Sequence, residues 1–177
     1  MSKCPYKNFK SKIADYISVL RQPRKEYNNM PACPFVGAEF DRQKLMIDIF
    51  DPSKSDIITM VQKFVESDHD SALFVQVANT QISADDTYAY QCFINGSLKK
   101  AGYDNLKCIC FNPNDDVEIQ GFNPRSHAPY FLINIAEKKV LEEAHEKLLN
   151  TKYFDNMNKK YLDFLKVKKK QLKKEEK

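Results

Sequence analysis

Four short apolar runs, each about one strand long, most constrain what this chain can fold into: 44–51 (KLMIDIFD), 71–78 (SALFVQVA), 106–112 (LKCICFN) and 130–136 (YFLINIA). Helical patterns separate the first three. After the first run, DPSKSD supplies Asp, Pro and Ser for a helix start, and Ile57, Ile58, Val61, Phe64 and Val65 then share one helical face. After the second run, SADD at 83–86 has capping-box spacing with Asp in place of Glu. It predicts a helix to about Ala101, closed by Gly102 in the position favoured after a helix. The third and fourth runs follow one another with no helix between.

The ends of the chain add helices. Ile13, Tyr16, Ile17 and Leu20 repeat at helical spacing, and Pro23 stops that pattern. NNMPACPFVG then reads as irregular connection. Val140, Leu141, Ala144 and Leu148 predict a core helix, and Phe154, Met157, Tyr161, Leu162 and Leu165 another. The core order is therefore β-α-β-α-β-β-α with extra N- and C-terminal helices. This predicts a single α/β domain over 1–165 with a mixed four-stranded sheet. Short β-α-β units favour parallel neighbours, and a fourth strand reached without a helix runs antiparallel. The order is also that of a thioredoxin-like core, but ACPF precedes the first strand and has no second cysteine, so it carries no redox argument.

At 177 residues the chain is long enough for one real core. No apolar run approaches a membrane span and MSKCP lacks the apolar core of a signal peptide, so a cytoplasmic protein without membrane partners is expected. The five cysteines, Cys4, Cys33, Cys92, Cys108 and Cys110, show no disulfide pattern and no zinc-ligand spacing. No cofactor and no metal site is identified. The net charge of +4 is concentrated in the tail 166–177 (KVKKKQLKKEEK), whose seven lysines and two glutamates leave the body at about −1. A body without a basic stripe is not expected to bind nucleic acid.

In open α/β sheets ligands bind beyond the carboxyl ends of the parallel strands. Those ends supply Asp51, Asn79 and Asn112, and the long helix-free connection from Pro113 to Ala128 must return over the same edge. Within it, Arg125 offers a planar fork for a carboxylate or phosphate. Ser126 donates or accepts, and His127 can serve as acid or base near neutral pH. The expected function is therefore to bind a small anionic ligand at this edge through Asn79, Asn112, Arg125 and Ser126, with His127 and Cys33 as candidate catalytic groups. The competing reading of the loop is a polar surface connection whose arginine pairs with an acidic neighbour. Cys33 also has two readings: a nucleophile activated by its surroundings, or a buried anchor pinning the loop to the core. Cys92, Cys108 and Cys110 are expected in the core.

Asp48, Gln76, Lys107 and Asn134 fall mid-strand and predict one sheet face more polar than a fully covered sheet should have. Incomplete cover by the terminal helices, a homodimer or a cavity would each account for it. A function from another class is a non-catalytic interaction module whose lysine tail docks an acidic partner or nucleic acid.

The segments ACPFV, ALFVQVA, CFNP and FNPRSHAPYFLINIAE, in this order and spacing, resemble the uncharacterised bacterial domain-of-unknown-function family 1415. The resemblance spans roughly 13–165. Cys33, Pro34 and Phe35 match its early Cys-Pro-Phe motif, Pro113 its second motif, and Arg125 and Ser126 its third. Asn112 stands where the family carries histidine, and the later strand offers Leu132, Ile133 or Asn134 in place of another. The resemblance implies a shared fold and a site near these motifs, with no histidine-dependent chemistry carried across.

Overall fold

The computed structural model describes residues 8–76, 82–115, 118 and 121–157. The first amphipathic helix, α1 (Phe9–Arg21), buries Ile13, Tyr16, Ile17 and Leu20, the face its spacing predicts. The stretch expected to be irregular holds more structure. β1 (Pro23–Arg24) pairs antiparallel with β2 (Met30–Pro31), and a short helix α2 (Val36–Asp41) follows. The two-stranded ribbon turns through Asn28 and Asn29, both at left-handed φ (54° and 62°), which asparagine tolerates better than most residues. α2 lies against α1, with the Arg21 side chain over Gly37: a Cβ there would come within 2.7 Å of Arg21 Nε and displace it. Arg21 bonds both carboxylate oxygens of Asp41 across this contact, at 3.0 and 2.8 Å.

The four strands of the main sheet are β3 (Leu45–Phe50), β4 (Ser71–Gln76), β5 (Leu106–Phe111) and β6 (Leu132–Glu137). Their order in space is β3-β4-β6-β5, with β3 and β4 parallel and β6 antiparallel to both its neighbours. The mixed sheet and its chain order are as expected. The α4 crossover, however, does not place β5 beside β4, because β6 occupies that slot.

α3 (Ile57–Val65) starts at Asp56, whose carboxylate accepts from the Thr59 backbone N–H at 2.8 Å. α4 (Ala84–Lys100) starts at Ser83, whose hydroxyl accepts from Asp86 N–H at 3.1 Å and donates to the Asp86 carboxylate at 2.6 Å. This is the first half of the capping box read from SADD; the aspartate accepts from the Ser83 hydroxyl and not from its backbone N–H. Gly102 follows at φ +83°. α4 also seals the outer edge of β5. Asn95 exchanges two hydrogen bonds with the Cys108 backbone (2.9 and 3.1 Å), and Gln91 accepts from Cys110 N–H at 2.9 Å. An edge strand would otherwise present these groups for pairing with another chain.

One sheet face packs against α3 and α4, burying Phe74, Ile133, Ile135, Val61, Phe64, Ile94 and Leu98 among others. Cys108 and Cys110 belong to this core as expected, their sulfurs 3.7 Å apart. Val65 and Cys92 do not: Val65 is half exposed and Cys92 exposed, since their helices turn those positions away from the sheet. The other face packs against α1 through Leu73, Val75 and Leu132. The expectation of one polar face fails. Asp48 is registered with Phe74, and Asn134 with Leu73. Asp48 and Gln76 therefore lie on the α3–α4 side, and Lys107 and Asn134 on the α1 side.

α5 (Lys138–Leu149) forms where predicted but buries no residue fully, so it is not a core helix. Phe154 and Met157 sit in turns, with Met157 packed beside Tyr27, Phe122 and Tyr153 in a third apolar cluster. Tyr161, Leu162, Leu165 and the lysine tail 166–177 lie outside the described residues. No helix among the described residues is long and apolar enough to cross a membrane.

Candidate functional site

Phe111 is registered with Leu132, and Val75 with Leu132, so the connection after β5 returns at the carboxyl edge of β3 and β4, as expected. The polar groups within it are largely engaged with one another. Asn112 is buried (1 % exposed), and its amide donates to Ile82 O (2.9 Å), Ser83 O (3.2 Å) and Thr87 Oγ1 (2.8 Å). Its side-chain oxygen accepts from Asn114 N–H at 2.9 Å. The amide thus ties the end of β5 to the start of α4 and has no donor left for a ligand.

Arg125 pairs with the carboxylate of Asp115. The guanidinium side chain is 41 % exposed and the Asp115 side chain 9 % exposed. Asn123 organises the turn that carries both, donating to Asp115 O and accepting from the backbone N–H groups of Arg125 (2.9 Å) and Ser126 (3.3 Å). The Ser126 hydroxyl donates back to Asn123 O at 2.9 Å. His127 is exposed, with its ring stacked on Phe122 at 5.4 Å between centroids. Phe122 also receives the Arg24 guanidinium, 3.4 Å from its ring centre, and the edge of Tyr27. The structure therefore gathers Asn112, Arg125, Ser126 and His127 into one region, while Asn79 lies outside the described residues. Phe122 and Asn123, which anchor the loop, carry no signal in the sequence beyond their residue types. Among the described residues, no group of three or more His, Cys, Asp or Glu side chains is placed to hold a metal ion.

A second feature lies on the α1 face of the sheet. A cavity of about 340 Å³ separates α1 and the 32–39 segment from β4, β6 and α5. Its size is at the lower end of the range for small-molecule sites. Ile17, Leu20, Val36, Leu73, Val140 and Leu141 make most of the wall apolar, and Asn134 adds an amide. The polarity expected of Lys107 and Asn134 thus meets a cavity at the second of these positions. Tyr16 also lines it, 4 % exposed, and its buried hydroxyl has no hydrogen-bond partner among the described residues. Burial pushes the Tyr16 hydroxyl pKa well up, the nearby Cys33 adding to the shift and Arg125 opposing it. At the cavity's other end Ser71 donates to the Glu39 carboxylate at 2.5 Å. Burial also pushes the Glu39 carboxyl up, Ser71 pulls it down, and Asp70 pushes it up again.

Cys33 is part of this wall and packs with the α1-side core. Its backbone N–H donates to Leu20 O at 3.1 Å. Burial drives its thiol pKa up, against smaller contributions from the backbone N–H groups of Val36 and Phe35. A raised thiol pKa favours the anchor of the two readings, since the thiolate is the nucleophilic form. With a disulfide reagent at pH 8, Cys33 should therefore react more slowly than free cysteine, while the exposed Cys92 reacts readily. Peptide mapping of the modified sites gives both rates, and a fast Cys33 would restore the nucleophile.

No family model, no curated protein and no solved structure matches the chain.

Proposed function

We propose that this protein binds a small, largely apolar molecule in the cavity between the sheet, α1 and α5. The observation that carries this reading is a cavity of about 340 Å³ whose wall is mostly apolar. The apolar wall supplies the affinity, by taking a ligand's hydrocarbon surface out of water. One motif behind the family resemblance also contributes to this wall through Cys33 and Phe35, and Pro124 adds the residue before its third motif. Nothing in the wall requires turnover, and we read the site as one of binding.

An anionic ligand at the strand edge has less to hold it, because Asp115 already neutralises Arg125 and Asn112 is fully engaged. The interaction-module reading rests on the lysine-rich segment 166–177, outside the described residues.

Titration with 1-octanol, followed residue by residue by NMR, tests the cavity. The expected result is saturable shifts confined to wall residues such as Tyr16, Leu73, Asn134 and Ala144. Ala144→Phe, which fills the space from α5, should remove them. Shifts scattered over the surface, or undiminished by the filled cavity, would reject the reading.

A further inference from the structure

The cavity is not electrically neutral. Its ionisable wall groups, apart from the tyrosine and the thiol, are Glu39, Glu143 and Lys147: two carboxylates and one ammonium. Glu143 and Lys147 sit exposed on α5. Glu39 is the half-buried one, on α2 beneath the sheet's β3–β4 end, where Leu45 and Ser71 also line the space. One of its oxygens accepts the Ser71 hydroxyl at 2.5 Å. No cation is paired with it among the described residues, and the charge nearest in effect is another carboxylate, Asp70.

A carboxylate in a mostly apolar wall is disfavoured unless something positive approaches it. Burial and Asp70 both act in that direction here, and both raise the carboxyl's pKa. The arrangement also bears against an acid as the ligand, since a second carboxylate would enter beside Glu39, with only the exposed Lys147 of α5 to compensate. An ammonium group reverses both effects: it restores a partner to Glu39 while its hydrocarbon portion lies along Leu73, Leu20 and Val36.

Building on the cavity reading, we infer that the ligand is an amphipathic amine, its cationic group held by Glu39 with Ser71 steadying the carboxylate and its apolar portion lying along α1 and β4.

Three probes of equal chain length separate charge from burial: n-octylammonium, 1-octanol and octanoate, each titrated calorimetrically into the full chain at pH 7. The ammonium is expected to bind about tenfold tighter than the alcohol, the factor a charge-assisted hydrogen bond of ~1.5 kcal/mol supplies. Octanoate should bind more weakly than the alcohol. Glu39→Gln, checked for folding by circular dichroism, should erase the preference for ammonium over alcohol. If the alcohol binds and the ammonium is no tighter, the amine inference fails while the cavity reading stands. A preference that survives Glu39→Gln also overturns the role given to Glu39. If none of the three binds, the cavity reading itself fails. The comparison within the unaltered chain decides the matter even if the variant does not fold.

Discussion

Asn112→Ala is expected to lower stability by about 3 kcal/mol, a large effect for a side chain at the edge where a ligand was anticipated. The substitution removes four hydrogen-bonding contacts; Ser83 O and Thr87 Oγ1 keep their bond to each other, whereas Ile82 O and Asn114 N–H are left to find other partners. At 1 % exposure, water reaches the position poorly. Each buried group left unsatisfied costs about 1–3 kcal/mol, and partial rearrangement of the turn recovers some of it. Asn112→Asp should be no better than alanine, although it has the same shape. Its carboxylate would face two carbonyl oxygens that require a donor, and nearness to the start of α4 offsets only about 1 kcal/mol of that. Urea denaturation reads both variants as a lower midpoint at unchanged slope. A residue kept only for a ligand would behave differently: its removal would leave the midpoint nearly untouched and weaken binding instead. Such a result would return Asn112 to the ligand site.

The contrast between what the chain reveals and conceals follows the range of the interactions involved. Asp56 and Ser83 are legible as helix starts because each cap is satisfied within three residues, by Thr59 and Asp86. The periodicity of α1 is equally local. Strand order is not: β6 enters between β4 and β5 through pairings with residues far away in the chain, such as Leu73 with Asn134. The same long-range register decides which face carries Asp48 and which Asn134, and strand alternation alone could not combine them correctly. Asn112 and Arg125 had suitable chemistry for an anion, yet their partners Ile82, Thr87 and Asp115 come together only in the folded loop. The cavity was hidden for a related reason. Its walls come from widely separated parts of the chain, and one of them, α2, is too short for a helical pattern to stand out.

The cavity also has a stability signature that needs no ligand. Leu73 and Ile135 occupy neighbouring strands at the centre of the sheet, and are 5 % and 0 % exposed. Leu73 points to the α1 face and lines the cavity, whereas Ile135 points to the α3–α4 face and is packed on all sides by the core. Truncating either to alanine deletes the same number of carbon atoms. The transfer cost should therefore be similar, and the difference between the variants reports what surrounds each side chain. Ile135→Ala opens a new void in a closed core and is expected to cost about 4 kcal/mol, towards the upper end for such substitutions. Leu73→Ala enlarges a space that already exists, and a side chain facing a void gives up fewer close contacts. Its cost should be about 2 kcal/mol, at the lower end of the same range. Paired urea denaturation curves, with slopes compared to confirm similar unfolding, measure the gap directly. Equal costs would mean that α5 and α1 close over Leu73 in solution as tightly as α3 and α4 close over Ile135, leaving no space there for a ligand to enter.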